Sequence, residues 1–404
     1  MRGASREVCL RSKSMPHTRR FSGRLVTLLA CIAALAGCQP ARPPSPGPNA
    51  ILISIDTLRA DHLGCYGYAR PTSPNLDRFA AGGAVFERAI SESPWTMPSH
   101  ASLLTGLAPS RHGMLDDLNR LADAIPTLAE QVRSAGIETA AFVNTPYLAE
   151  NTGLLRGFAF IRGFDIWDAR KQRTLSGEAM NDALESWLDE HGERPFFAFF
   201  HTYDLHSDYL PEARSREELV RPYSGRFDGR SETLDGIARG RLHPTSADID
   251  HIRDLYDAAL RQIDDHLGAL LAELERRELL DTTLIIITAD HGEEFFDHGS
   301  VSHGRTLYQE MLHVPLIVRG PGVTAGLRIA EPVQLVDVAP TLLAWFRAKP
   351  LAASEGRNLT TALGDARNAP RAARHLLRGR PAQVPSRLQE PLDRRHRWRP
   401  QAGP

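Results

Sequence analysis

Three short, uninterrupted apolar runs constrain the fold of this chain more than any other feature of its sequence. They span residues 50–55, 194–200 and 283–288. Their β-branched and aromatic residues, without polar alternation, are typical of strands buried on both faces. Between the second and third runs, residues 248–279 repeat apolar side chains every three or four positions, as an amphipathic helix does. This alternation predicts an α/β fold with a doubly wound, mostly parallel sheet.

Carboxylate or imidazole side chains follow each of the three runs. They are Asp56 after the first run, His201, Asp204 and His206 after the second, and Asp290 and His291 after the third. In open parallel sheets, ligands bind beyond the carboxyl ends of the strands. Carboxylates and imidazoles are ligands for Ca²⁺, Mg²⁺, Mn²⁺ or Zn²⁺. We therefore expect a divalent metal site to which Asp56, Asp290 and His291 contribute.

A hydroxyl side chain, Thr96, precedes an apolar segment that is predicted to be a short helix. Pro98 fits the first turn of that helix, where the missing N–H carries no penalty. The free N–H groups of the turn and the positive end of the helix dipole would favour an anion beside Thr96. A metal that lowers the pKa of the hydroxyl would make Thr96 a nucleophile towards an anionic ester. The alternative is that Thr96 only caps the helix.

A second group of polar side chains offers further chemistry. Asp204, His206 and His303 could bind a second metal ion, or they could bind the substrate and protonate its leaving group. The sequence leaves these two alternatives open.

The first 37 residues have the pattern of a bacterial lipoprotein signal peptide. Arg19, Arg20 and Arg24 precede an apolar stretch over residues 25–36, which is too short for a permanent membrane span. The stretch ends in Leu-Ala-Gly-Cys, so Cys38 is the expected lipidated first residue of the mature chain. Residues 38–49 are rich in proline and predict an extended linker. An apolar leader that arose by chance is the alternative.

Charge is distributed unevenly along the chain, although the net charge is only −1. Arginines dominate the first 37 residues and again the end of the chain, whereas the region between them is acidic. An acidic body suits divalent cations and argues against a nucleic-acid partner. Residues 50–365, which hold the strand and helix patterns and the candidate ligands, are the expected catalytic domain. Residues 366–404 are expected to form a basic, disordered tail, and a frameshifted or truncated C-terminus is the alternative.

Several ordered motifs resemble those of the sulfatase family in the alkaline phosphatase superfamily, from about Asn49 to Leu363. The motifs are Asp56–Asp61, Gly64–Gly67, Thr72–Asp77, Pro98–Gly106, Asp290–Glu293, Val314–Gly322 and Asp337–Leu343. The resemblance implies an alkaline-phosphatase-like α/β domain with a metal site at the sheet edge. It also implies a C-terminal subdomain, which is reduced or incomplete in this chain.

The chain departs from sulfatases at several positions. Thr96 stands where sulfatases convert Cys or Ser to formylglycine, and Thr cannot form that aldehyde. His100 replaces an Arg, and Thr57 replaces a second acidic metal ligand. The lysines that hold sulfate are missing, with Asn144 and His303 near their positions. In these respects the chain is more similar to the phosphodiesterases and the phosphoglycerol or phosphoethanolamine transferases of the superfamily, which use a Thr nucleophile.

The resemblance assigns a role to each candidate residue. Asp56, Thr96, Asp290 and His291 would share one metal ion. Asp204, His206 and His303 would bind a second ion or act as acid and base, and Asn144 would donate to a non-bridging oxygen of the substrate. One or two divalent ions are therefore expected.

The expected function is that of an exported, lipid-anchored metallohydrolase on the periplasmic side of a bacterial membrane. It would cleave a phosphodiester, phosphonate or sulfate ester through Thr96. One alternative is a transferase that passes a phosphoglycerol or phosphoethanolamine group to an envelope lipid or glycan. Another is a catalytically inactive, surface-binding lipoprotein. The expected partners are an anionic ester substrate and the membrane.

Overall fold

The computed structural model of the chain describes residues 48–116, 119–163 and 177–364. The predicted signal peptide, Cys38, nearly all of the predicted linker and the predicted basic tail over 366–404 lie outside these residues. The domain boundaries given above therefore stay predictions.

A mixed sheet of nine strands, mostly parallel, forms the centre of the structure. The strands are β1 (Asn49–Ile55), β2 (Ala84–Ile90), β3 (Glu138–Val143), β4 (Phe160–Arg162), β5 (Phe196–Thr202), β6 (Thr283–Ala289), β9 (His313–Arg319), β10 (Leu327–Ile329) and β11 (Val333–Gln334), with β7 (Glu294–Phe295) and β8 (Val301–Ser302) forming a separate hairpin. The strand order in the sheet is β10-β2-β9-β6-β1-β5-β3-β4, and β11 also pairs with β2. Only β9 runs antiparallel to its neighbours β2 and β6.

The three apolar runs of the sequence are the central strands β1, β5 and β6. Strand β1 pairs in parallel with β5 on one side and β6 on the other. Every residue of these three strands is buried. Because successive side chains point to opposite faces of a strand, both faces of the sheet must be covered. The predicted α/β fold with a mostly parallel sheet is confirmed.

Ten helices and five 3₁₀ turns connect the strands in the described part of the chain. The helices are α1 (Pro74–Ala81), α2 (Thr96–Thr105), α3 (Pro109–His112), α4 (Leu128–Ser134), α5 (Gly177–His191), α6 (Ala213–Leu219), α7 (Ser231–Ala238), α8 (Ser246–Arg276), α9 (Gln309–Leu312) and α10 (Val338–Phe346). The 3₁₀ turns cover Ala60–His62, Gly64–Tyr66, Pro146–Leu148, Glu150–Thr152 and Leu335–Asp337.

Helix α8 is the amphipathic helix that the apolar repeat predicts. A capping box fixes its start, because the Thr245 hydroxyl accepts from the Asp248 N–H while the Asp248 carboxylate accepts from the Thr245 N–H. Helix α8 packs against α1, α5 and α6, whereas α2 packs against α4 and α10. Among the described helices, none is both long and apolar enough to cross a membrane.

The region predicted to be a reduced C-terminal subdomain extends the main sheet. Strands β10 and β11 pair with β2, and α10 follows them. The indole N–H of Trp345 in α10 donates to the Asn49 carbonyl at 3.0 Å, so this helix is fastened to the start of β1. This contact lies at the end of β1 opposite to Asp56, so the described C-terminal residues extend the sheet and hold the start of its central strand.

Candidate active site

The register of the central strands brings two carboxylates together. Ser54 of β1 lies opposite Thr288 of β6. Asp56 and Asp290 each lie two positions further on, so both point to the same face of the sheet from adjacent strand ends. Both side chains are fully buried.

Thr96 is the first residue of helix α2, and its hydroxyl faces these carboxylates. Its Oγ1 lies 3.4 Å from Oδ2 of Asp56 and 3.2 Å from Nε2 of His291. Trp95, not Thr96, is the N-cap of the helix, and it makes no side-chain capping bond. Thr96 therefore does not cap the helix in this structure, in contrast to the alternative given above. Instead the helix start presents the hydroxyl to a buried polar cluster, with Thr96 only 1% exposed.

His291 has the tautomer that a metal ligand needs. Its Nδ1 lies 2.9 Å from the Gly292 carbonyl, which can only accept, so Nδ1 carries the proton. The lone pair of Nε2 is then directed at Thr96 and the carboxylates. Gly292 allows this turn, because a Cβ there would lie 1.9 Å from the Glu310 carbonyl oxygen. A backbone carbonyl that accepts from the second nitrogen is a common support for metal-binding histidines.

Asp290 is held by backbone donors through one of its two oxygens. Its Oδ1 accepts from the N–H groups of Thr57 at 3.2 Å and His291 at 2.9 Å. Thr57 adopts a left-handed conformation with φ of 56°, which is strained for a β-branched residue. Its hydroxyl donates to the Leu205 carbonyl at 3.1 Å. Thr57 thus positions Asp290 through its backbone, while its side chain bonds to Leu205.

The remaining carboxylate oxygens fit a cation. Within the described residues, Oδ1 of Asp56 and Oδ2 of Asp290 are buried without a hydrogen-bond partner. Ligand atoms of Asp56, Asp290 and His291 lie within 4.8 Å of one another. Burial, followed by the Asp290 charge, raises the pKa of Asp56 well above its usual value. Two dehydrated carboxylates with unsatisfied oxygens are stabilised when a divalent cation binds between them.

His303 lies beside His291, with ring centroids 4.6 Å apart. Its Nδ1 lies 3.1 Å from Oε1 of the fully buried Glu293, whose Oε2 accepts from the Tyr209 hydroxyl at 2.7 Å. Burial disfavours the charged imidazole, but Glu293 outweighs burial and raises the pKa of His303 to about 8. His303 is therefore an imidazole with a raised pKa, oriented by Glu293 beside His291, which suits a general acid.

His206 completes a row of three imidazoles. Its ring packs edge-on against His303 at 4.8 Å and stacks on Tyr203 at 4.2 Å. Its Nδ1 lies 2.9 Å from the Ser207 carbonyl. Burial, followed by the His303 charge, lowers the pKa of His206 to about 3. His206 is thus neutral, in contrast to its neighbour.

Asp204 and Asn144 lie against each other. Oδ2 of Asp204 accepts from the Gly177 N–H at 2.7 Å, and its Oδ1 accepts from the Asn144 amide at 3.4 Å. The Asn144 amide oxygen accepts from the Tyr203 N–H at 2.7 Å. Both oxygens of Asp204 are therefore engaged by donors of the protein. Its role as a ligand of a second metal, and that of Asn144 as a donor to the substrate, stay predictions.

Three further residues of the site, Glu293, His100 and His201, were named in the sequence motifs but were given no predicted role. Glu293 orients His303, and its place directly after Asp290-His291-Gly292 was the available signal. His100 donates from Nδ1 to the Thr96 carbonyl at 2.8 Å, and its Nε2 lies 2.9 Å from the Ser54 hydroxyl. His201 sits in β5 opposite Ser54, within 3.3 Å of Asp56. Burial lowers the pKa of both His100 and His201 to about 4.

Comparison with known proteins gives consistent matches over most of the chain. The family model described as Sulfatase matches residues 48–348. Arylsulfatase K of Mus musculus is 24% identical over 367 residues, which cover 79% of this chain and 66% of that protein. N-acetylglucosamine-6-O-sulfatase of Bacteroides thetaiotaomicron is 24% identical over 400 residues, which cover 78% of this chain and 71% of that protein. This chain thus spans slightly less than two thirds of the length of the mouse protein.

Among solved structures, the chain is similar to a phosphonate monoester hydrolase from Silicibacter pomeroyi. The TM-score is 0.65 with 25% sequence identity, and the superposition covers 80% of this chain and 78% of that one.

Proposed function

Because the chain belongs to the sulfatase family, we propose that it is a metal-dependent hydrolase of anionic esters in which Thr96 is the nucleophile. The observation that carries this proposal is the position of the Thr96 hydroxyl. It lies at a helix N-terminus within 3.4 Å of both Asp56 and His291. The hydroxyl thus faces a buried group of potential metal ligands. A nucleophilic oxygen has to lie at such a position if a bound cation is to activate it.

Asp56, Thr96, Asp290 and His291 would hold a divalent cation. Such a cation lowers the pKa of a hydroxyl that it binds and offsets the negative charge of the ester. The residues around it prepare the site. Asp290 is fixed by two backbone N–H groups, and His291 is fixed through its Nδ1 proton. The ligands therefore need little rearrangement to bind.

In the proposed reaction, the Thr96 hydroxyl would lose its proton to water, and Oγ1 would attack the phosphorus or sulfur atom as the bond to the leaving oxygen breaks. The bound anion would lie beside the N-terminus of α2, whose dipole favours negative charge. His303 would donate its proton to the leaving alcohol, supported by the Glu293 carboxylate. The neutral imidazole could then remove a proton from the water that hydrolyses the Thr96 ester.

The chemistry of a threonine ester favours phosphorus over sulfur as the centre attacked. A formylglycine enzyme expels sulfate by elimination from a hemiacetal, whereas a Thr ester has no second hydroxyl and must be attacked by water directly. Among the described residues the only lysine is Lys349, which follows α10, so the described site holds no lysine for a sulfate group. We therefore infer a preference for phosphodiesters or phosphonate monoesters over sulfate monoesters, in line with the similarity to a phosphonate monoester hydrolase.

The test is to compare kcat/KM on matched aryl phosphodiester, phosphonate and sulfate esters with metal-loaded protein. A covalent adduct on residue 96 should be trapped and located by mass spectrometry. The expected result is turnover of the phosphorus esters and an adduct on Thr96. A clear preference for sulfate, or turnover without an adduct on residue 96, would contradict the proposal.

Product analysis in the presence of an alcohol acceptor separates a hydrolase from a transferase. Release of the phosphate monoester or the free phosphonate supports a hydrolase, whereas transfer of the group to glycerol or another alcohol supports the transferase alternative. Metal binding without turnover of any of these esters would favour the inactive binding protein.

We further propose that the protein is exported and anchored to the bacterial cell envelope through a lipid on Cys38. The support is the order of basic residues, apolar stretch and Leu-Ala-Gly-Cys in residues 19–38. An envelope location would give the enzyme access to anionic esters of lipids or glycans.

A further inference from the structure

We infer that His201 is a further protein ligand of the divalent cation, in addition to the four residues named above. This inference rests on the metal site of the proposed function. Strand β5 places His201 opposite Ser54 of β1. The side chains of Ser54, Asp56 and His201 therefore point to one face of the sheet, which is the face that also receives His100 and Thr96 of α2.

The contacts of His201 differ from those of the other buried histidines near the site. Its Nε2 lies 3.3 Å from Oδ2 of Asp56, and one of its ring nitrogens lies within 4.8 Å of an Asp290 oxygen, in a group that also includes His100. The side chain is fully buried, yet neither ring nitrogen has a hydrogen-bond partner among the described residues. Buried imidazoles normally satisfy at least one nitrogen. A cation between Asp56 and Asp290 would give Nε2 of His201 a partner.

His100 shows what a buried structural histidine looks like at the same place. Both of its ring nitrogens are engaged, Nδ1 by the Thr96 carbonyl and Nε2 by the Ser54 hydroxyl. Its Nδ1 carries the proton, because a carbonyl can only accept. His100 is therefore not available as a ligand, although it lies only 5.0 Å from His201 between ring centroids.

The additional imidazole changes which metal the site should prefer. Two imidazoles, two carboxylates and a hydroxyl form a nitrogen-containing set that suits Zn²⁺. Ca²⁺ and Mg²⁺ prefer sites built of oxygen ligands. With His201 in the coordination sphere, the site should retain a transition metal against an excess of Ca²⁺.

X-ray absorption spectroscopy of the zinc-loaded protein tests the inference directly, because it counts imidazole ligands. We expect two imidazoles in the wild type and one in His201→Gln. The Zn²⁺ affinity of the variant should fall by at least about 10- to 100-fold, the loss that removal of a residue supporting a ligand already causes. The ratio of its Zn²⁺ affinity to its Ca²⁺ affinity should also fall. His112→Gln is the matched control. His112 is buried, and its two ring nitrogens contact the Ser102 hydroxyl and the Met114 N–H. The His112→Gln variant should therefore keep the imidazole count and the Zn²⁺ affinity of the wild type.

A single imidazole in the wild type would overturn the inference, and this count decides the matter even if the variant does not fold. Two imidazoles in both the wild type and His201→Gln would overturn it as well. The outcome is separable from that of the proposed function. Two imidazoles without ester turnover would refute only the hydrolase, and one imidazole with turnover would refute only the role of His201.

Discussion

The hydroxyl of Thr96 lies 3.2 Å from Nε2 of His291, although the two residues are 195 positions apart in the chain. Because the other nitrogen of His291 donates to the Gly292 carbonyl, its Nε2 lone pair is directed at this hydroxyl. The same hydroxyl faces Asp56. A helix start and two strand ends thus converge on one oxygen atom, and this convergence underlies the first three predictions.

Replacing Thr96 tests its role as the nucleophile. Thr96→Ala should lower kcat by at least about 10³-fold, which is typical for removal of a catalytic nucleophile. Thr96→Ser should keep part of the activity, because it retains the hydroxyl. The measurements are steady-state kinetics on an aryl phosphodiester and mass spectrometry of the trapped protein. Full activity of Thr96→Ala would show that another group attacks the ester.

Replacing Asp290 tests the metal site. Asp290→Asn removes one of two buried carboxylates, so we expect loss of most bound metal, measured by elemental analysis, with the secondary structure preserved. Metal-free wild type should also unfold at a lower temperature, because a ligand at 100 times its Kd stabilises a protein by about 2.7 kcal/mol. An Asp290→Asn variant with one full equivalent of metal would exclude Asp290 as a ligand.

Asp204→Asn is the matched comparison for this experiment. The Asp204 carboxylate is bonded to Gly177 and Asn144. If only one ion binds, Asp204→Asn should keep the metal content of the wild type. Loss of one of two equivalents would instead support the second metal site suggested from the sequence.

Replacing His303 tests the general acid. His303→Asn removes the proton donor beside His291, and a positioned acid contributes about 10²- to 10⁴-fold. The loss in kcat should be large for alkyl esters, whose leaving groups need a proton, and small for nitrophenyl esters, which leave readily as anions. Equal losses for both kinds of ester would indicate that His303 binds or positions the substrate instead.

Glu92 should make the stability of the protein depend on pH. This half-buried side chain accepts from the Val336 N–H at 3.2 Å, but its Oε2 has no partner in the described structure. Burial, followed by the Asp337 charge, raises its pKa from 4.5 to about 7. The folded state therefore holds this proton more tightly than the unfolded state. The free energy of unfolding should fall as the pH rises from 4.5 to about 7.

Denaturant unfolding of Glu92→Gln and wild type at pH 5 and pH 8 measures this effect. Between these values the wild type should lose about 1–3 kcal/mol more of its unfolding free energy than the variant. Equal losses in the two proteins would show that Glu92 titrates normally.

Replacing Cys38 tests the proposed anchor. Cys38→Ser should shift the protein from the membrane fraction to the soluble or unprocessed fraction, since the lipid can no longer be attached. Fractionation and mass analysis of the mature N-terminus are the measurements. Stable anchoring requires more than one acyl chain, so the wild type should carry several. Unchanged fractionation with no lipid on residue 38 would contradict the proposal.

The sequence alone determined the α/β architecture and the location of the site. The runs over 50–55, 194–200 and 283–288 are apolar without alternation, and only central strands covered on both faces bury such segments. The polar residues that follow them had to meet at one edge of the sheet. The candidate ligands Asp56, Asp290 and His291 could therefore be named before the structure was known.

Only the tertiary structure decided which neighbours engage these side chains. The pairing of Ser54 with Thr288 and with His201 fixed the faces on which Asp56, Asp290 and His201 lie. The same structure turned Asp204 towards Gly177 and set Glu293 against His303. Sequence periodicity gives the position of a residue along a strand or helix. Strand register and loop paths depend on contacts between distant segments, so the partners of each site residue emerge only when the chain is packed.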